Sequence, residues 1–116
     1  MTQHDDVAYL GHMLEMSHTV LNLTENKTMT DLENDQVVMF ATIHTLQIIG
    51  EAARRVSVRT RDSMPIVPWE LIVGMRHRIV HDYFEINLEI VWKTIMNDIP
   101  LLIRELEQVV PPEVPE

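Results

Sequence analysis

The chain has 116 residues, 46% of them apolar, with no cysteine and a net charge of −9. That length holds one domain with one core, and the lack of thiols excludes a disulfide framework and thiolate metal sites; a reducing compartment, the cytoplasm, is expected. So acidic a chain does not coat itself in nucleic acid, because phosphate contacts supply most of the affinity in such complexes.

The opening Met1-Thr2-Gln3-His4-Asp5-Asp6 is acidic and leads into an amphipathic stretch, so no signal peptide is expected there. No apolar run approaches the roughly 18 residues that a bilayer span needs, which predicts a soluble protein with no membrane partner. A first helix is predicted from about Asp5 to Leu23, with Val7, Leu10, Leu14 and Leu21 at helical spacing and Asp5 or Asp6 accepting its first free amides. After a polar, turn-rich stretch from Asn22 to Asn34, Asp31 or Asn34 is expected to cap a longer helix carrying Val38, Ala41, Ile48, Ala52 and Val56. Gly50 lies inside it, where glycine costs about 1 kcal/mol against alanine, and so marks close approach by another helix.

The periodicity weakens between Ser57 and Pro68, and Met64-Pro65-Ile66-Val67-Pro68 cannot continue a helix. Pro68 opens a third helix with Trp69, Ile72, Val73, Met75, Ile79 and Val80 as its apolar face. Asn87 caps the last helix, with Val91, Ile95, Ile99, Leu102, Leu106 and Val109 facing inward and Pro100 bending it. These segments predict an all-α, up-and-down helical bundle over residues 1–110, with no strand, followed by a disordered proline-rich tail at 111–116. The eight methionines read as core filling, and Trp69 and Trp92 as residues of the core or of a dimer seam.

The chemistry sits where the third helix should end, in Arg76-His77-Arg78-Ile79-Val80-His81-Asp82-Tyr83. Arg76 offers a permanent cation whose forked donors suit phosphate oxygens, and His81 can give or take a proton near neutrality. Between Ala52 and His81 six arginines stand against Asp62 and Glu70, a balance of +4 that leaves −13 on the rest of the chain. Such a chain can hold a phosphate at one site; the plainer alternative is that these arginines are solvated helix faces. On one ideal helix Arg76 and His81 would diverge by about 140°. Either the helix ends near Val80, freeing His81 and Tyr83, or two copies of the chain complete the site across a symmetric interface, or both hold together. His4, His12, His18 and His44 form no compact ligand cluster, His12 and His18 being expected on different faces, so no metal and no cofactor are assigned.

Around this motif stand Ile49-Gly50-Glu51-Ala52-Ala53-Arg54, Pro68-Trp69, Gly74-Met75-Arg76, Val80-His81-Asp82-Tyr83-Phe84, Ile90-Val91-Trp92 and Asn97-Asp98-Ile99-Pro100. Together they resemble the HepT branch of the HEPN superfamily, small all-helical ribonuclease toxins of prokaryotic toxin–antitoxin pairs, over about Leu10 to Leu106. The resemblance implies catalytic Arg76 and His81 in the Arg-x4-His motif, with Tyr83 as its tyrosine. It also implies a homodimer with its active site in a cleft, no metal requirement, and an MNT-type nucleotidyltransferase antitoxin that attaches AMP to Tyr83. His77 stands where the family often carries asparagine, a mild departure.

The chemistry also follows from RNA itself, whose 2′-hydroxyl is a nucleophile beside each phosphate. His81 would exchange a proton with the 2′-hydroxyl or the leaving 5′-oxygen, and Arg76 would stabilise the extra charge of the transition state. Tyr83 would stack on a base or bond the phosphate, while His77 and Arg78 are RNA contacts or a solvated face. The duller alternative makes Arg76 and Asp82 an ion pair, His81 a helix C-cap and Tyr83 a core ring. The competing function is a non-catalytic helical module that docks a nucleotidyltransferase; a DNA binder is disfavoured because no helix has a basic recognition face.

Overall fold

The computed structural model describes residues 4–82 and 85–112, and the side chains of 5–79 and 85–112. Its first helix, α1, spans His4–Thr24, and Asn26 turns the chain beyond it at a φ of 60°, the left-handed region that asparagine tolerates. Thr28 opens α2 (Met29–Asn34) with a capping box: its hydroxyl accepts from Asp31 N–H at 3.1 Å while the Asp31 carboxylate accepts from Thr28 N–H at 2.8 Å. Asp35 then ends α2 and caps α3 (Gln36–Arg55), accepting from Val38 N–H at 3.2 Å. The long second helix expected from the sequence is therefore two helices. The cap is Asp35 rather than Asp31 or Asn34, because an extended backbone at Asp35 frees its carboxylate to reach the next helix's amides.

The Ser57–Pro68 region holds a short α4 (Val58–Asp62) with Ser57 as its N-cap. The expected third helix is also broken: α5 (Trp69–Val73) and α6 (Met75–Ile79) meet at Gly74. Beyond Ile79 the backbone becomes β1 (Val80–Asp82), which pairs antiparallel with β2 (Glu85–Ile86). This two-stranded ribbon corrects the expectation of no strand; the β-branched Val80 at its start favours extended backbone over continued helix. Asn87 caps α7 (Leu88–Lys93) as expected, accepting from Ile90 N–H at 3.1 Å.

Pro100 leaves its mark one turn upstream. It has no N–H to return to Met96, and Thr94–Asp98 widens into a π turn in which Ile99 N–H bonds Thr94 five residues back, before α8 (Ile99–Glu107) completes the last helix.

α1 packs along α3 and against α8, while α5 and α6 lie on α3. Between these helices Leu10, Met13, Leu46, Ile49, Ile72, Met75, Ile79, Leu102 and Leu106 are almost wholly buried, each stabilising the fold by about 1.5–3 kcal/mol. Trp69 joins this core, and its indole N–H donates to the Met64 carbonyl at 3.0 Å. The described residues thus form an all-α bundle with one small ribbon. Asp6 does not cap α1: it is buried and accepts from Ser57 N–H at 2.9 Å, Ser57 Oγ at 2.6 Å and Thr60 Oγ1 at 2.6 Å. Among the described residues no helix is long and apolar enough to cross a membrane. Residues 113–116 of the expected tail lie outside the described residues.

Candidate functional site

The break at Gly74 and the change from helix to strand at Val80 leave α6 as a single exposed turn-and-a-half held on α3 by Met75 and Ile79. Asn87 N–H donates to the Ile79 carbonyl at 2.8 Å, so the ribbon is tied to the end of that helix. Of the two resolutions open in the sequence, the backbone takes the first: the helix stops at Ile79, and His81 belongs to extended chain. The helical projection that separated Arg76 from His81 by about 140° no longer applies. The side chain of His81 and the whole of Tyr83 lie outside the described residues.

Arg76 is exposed and lines a cleft of about 260 Å3 between α3 and the α5–α6 segment. One wall is His44, Gln47, Ile48, Gly50 and Glu51 from α3, and the other is Val73 and Arg76. Gly50 sets the closeness of the two walls, since a Cβ there would lie 2.7 Å from the Ile72 carbonyl oxygen. The Glu51 carboxylate meets Arg54 Nη2 at 2.6 Å and Arg55 Nη2 at 3.5 Å. The hydrogen bond from Arg54 lowers the Glu51 carboxyl from its ordinary value against the opposing effect of desolvation, helped by the charges of both arginines. Glu51 is therefore an anion at neutral pH.

His77 is exposed on α6 and does not line this cleft; Arg78 is half-buried and does not line it either. The Arg78 Nη1 atom is buried without a hydrogen-bond partner among the described residues. The basic middle of the sequence is also less free than its count. Arg61 donates to the carbonyls of Val56 at 3.0 Å and Arg54 at 2.8 Å, closing the end of α3, and its guanidinium lies 6.0 Å from the Trp69 ring centroid. With Arg54 and Arg55 on Glu51, three of the six arginines serve the scaffold.

His44, Gln47 and Glu51 were not singled out from the sequence as site residues. Their i, i+3, i+7 spacing on one face of a helix was the available signal. His12 and His18 were expected on different faces, yet both border one groove of about 1160 Å3 between α1 and the C-terminal segment, because it is wide enough to span about 120° of the helix surface. Among the described residues no three His, Asp or Glu side chains are grouped to hold a metal ion.

A family model described as "Ribonuclease HepT-like" matches residues 13–109. The chain is 34% identical over 107 residues to "Putative RNase MJ1380" of Methanocaldococcus jannaschii, covering 92% of this chain and 98% of that one. It is 32% identical over 105 residues to "Putative RNase TTE0752" of Caldanaerobacter subterraneus, covering 90% and 94%. It is 31% identical over 100 residues to "Probable ribonuclease HepT" of Thermococcus cleftensis, covering 86% and 91%. No solved structure matches the chain. A match that runs from α1 through α8, and so includes the Arg76 cleft and the α6-to-ribbon junction, together with relatives alike over nearly their full lengths, places the chain in the HepT-like ribonuclease family.

Proposed function

We propose that this ribonuclease is the toxin of a toxin–antitoxin pair, an endoribonuclease of the cytoplasm that cuts RNA without a metal, with Arg76 and His81 as its catalytic pair. The observation that supports it most is the backbone change at Ile79: Arg76 keeps a place on the wall of an open cleft, while the histidine five residues on is released from the helical path. In this mechanism the 2′-hydroxyl attacks the adjacent phosphorus as His81 exchanges a proton with one of the reacting oxygens. Arg76 neutralises the charge that builds on the non-bridging oxygens. The products are a 2′,3′-cyclic phosphate and a 5′-hydroxyl, and no water is consumed. His77 and Arg78 supply further RNA contacts outside the cleft.

Tyr83 contacts the substrate and is the point of control. A nucleotidyltransferase antitoxin transfers AMP from ATP to its phenol oxygen with release of pyrophosphate, which puts bulk and negative charge where RNA must enter. The active species is a homodimer whose clefts face a shared groove.

The test is cleavage of an RNA oligonucleotide in the presence of a chelator. The wild type is expected to give the cyclic phosphate and 5′-hydroxyl ends, and Arg76→Ala and His81→Ala to lose at least about 10²-fold in rate. A His81→Ala protein that cleaves at the wild-type rate ends the assignment. Incubation with the antitoxin and ATP should add the mass of one adenylate to the wild type and none to Tyr83→Phe.

A further inference from the structure

We infer that His44 is a second proton carrier of the RNA-cleaving site, acting on the scissile phosphodiester from the α3 wall of the cleft that Arg76 lines. The inference deepens the nuclease reading above and rests on it. Transesterification moves two protons: one leaves the 2′-hydroxyl as the O2′–P bond forms, and one reaches the 5′-oxygen as the P–O5′ bond breaks. The entering and leaving oxygens lie on opposite sides of phosphorus, so a single side chain serves only one of them well.

Among the described residues that line the cleft, His44 alone carries an imidazole, the side chain suited to both giving and taking a proton in general acid–base catalysis. Arg76 offers its guanidinium as a hydrogen-bond donor to phosphate oxygens and is no proton carrier. Glu51 is held as an anion by Arg54 and Arg55, Gln47 has no ionisable proton, and Ile48 and Val73 are apolar. The titratable and polar groups that share the cleft lining with His44 are thus Glu51 and Gln47 on its own helix and Arg76 on α6, with Val73 from α5. His44 is exposed on the solvent side of α3, between the buried Ile43 and Thr45, so its ring is open to a ligand and carries no share of the core. An imidazole and a guanidinium on facing walls suit one phosphodiester between them: Arg76 on a non-bridging oxygen, His44 on a bridging one.

The experiment is the pH dependence of kcat and KM for cleavage of a short oligoribonucleotide by the wild type, His44→Ala and His44→Gln. The wild type should give a bell-shaped profile. Both variants should melt with the wild type, lose about 10²-fold or more in kcat with KM within a few-fold, and lose one limb of the bell. A glutamine that restores the rate, a profile that keeps both limbs, or a change confined to KM would overturn the role of His44 and leave the nuclease reading intact. A wild-type protein that releases no cyclic phosphate would overturn both.

Discussion

A methyl group at position 50 has no room. Gly50 is buried on α3, and the atom a Cβ would meet at 2.7 Å is the Ile72 carbonyl oxygen, part of a backbone that cannot rotate away. Helix propensity alone would make Gly50→Ala stabilising by about 1 kcal/mol. Parting two packed helices costs about 1–3 kcal/mol, and the gap between α3 and α5 is the same gap that forms the cleft. Gly50→Ala is therefore expected to lower stability by up to about 2 kcal/mol in urea unfolding, and to slow RNA cleavage at temperatures where the variant is still fully folded. A variant more stable than the wild type would show that the close approach is not enforced by this glycine. The sequence already pointed here, because an unpaired glycine in a periodic helix needs a packing reason. It could not name Ile72 as the neighbour, since that contact spans two helices.

At the scale of elements, the long periodic segments and the Asn87 cap were readable because helical periodicity and capping are local properties. The breaks were not: Asp31, Asn34 and Asp35 are three plausible caps within five residues, and only the tertiary path selects Asp35. Gly74 and the ribbon of Val80–Asp82 and Glu85–Ile86 escaped for the same reason, since α5 and α6 share one apolar face that reads as continuous. Asp6 is the clearest case, for it has the composition of an N-cap and spends its carboxylate 51 and 54 residues away, tying the first turn of α1 to the start of α4. Burial alone would raise its pKa, but the bonds from the Ser57 hydroxyl, the Thr60 hydroxyl and the Ser57 amide prevail and lower it from the ordinary 3.8. A depressed folded pKa means that this stabilisation is complete above the unfolded value and is lost as pH falls through the folded one. Asp6→Asn should cost about 2–3 kcal/mol at pH 7, with the gap to wild type narrowing as pH falls below about 4. A gap that stays constant from pH 7 to pH 3 would show that the carboxylate charge contributes nothing.

The whole molecule carries −9, and the sequence suggested that a basic middle of +4 would offset this where RNA binds. The structure reduces that middle, with Arg54 and Arg55 paired to Glu51 and Arg61 turned onto the end of α3. What remains in the cleft is Arg76, with Arg78 two residues on and outside it, a local cation in a repelling shell rather than a basic surface. A protein of this kind should bind RNA through few phosphates and gain its rate from their placement, so its affinity should depend only mildly on salt. With about two or three phosphates neutralised, a plot of log K against log salt for a single-stranded oligonucleotide should have a slope of about −1.5 to −2. Arg76→Ala should lower its magnitude by about 0.7 if each chain completes its own site, and by about twice that if two copies share one groove. A slope steeper than about −4 would require a broad basic face, which this distribution of arginines does not provide. A slope unchanged by Arg76→Ala would place the bound phosphates somewhere other than the cleft.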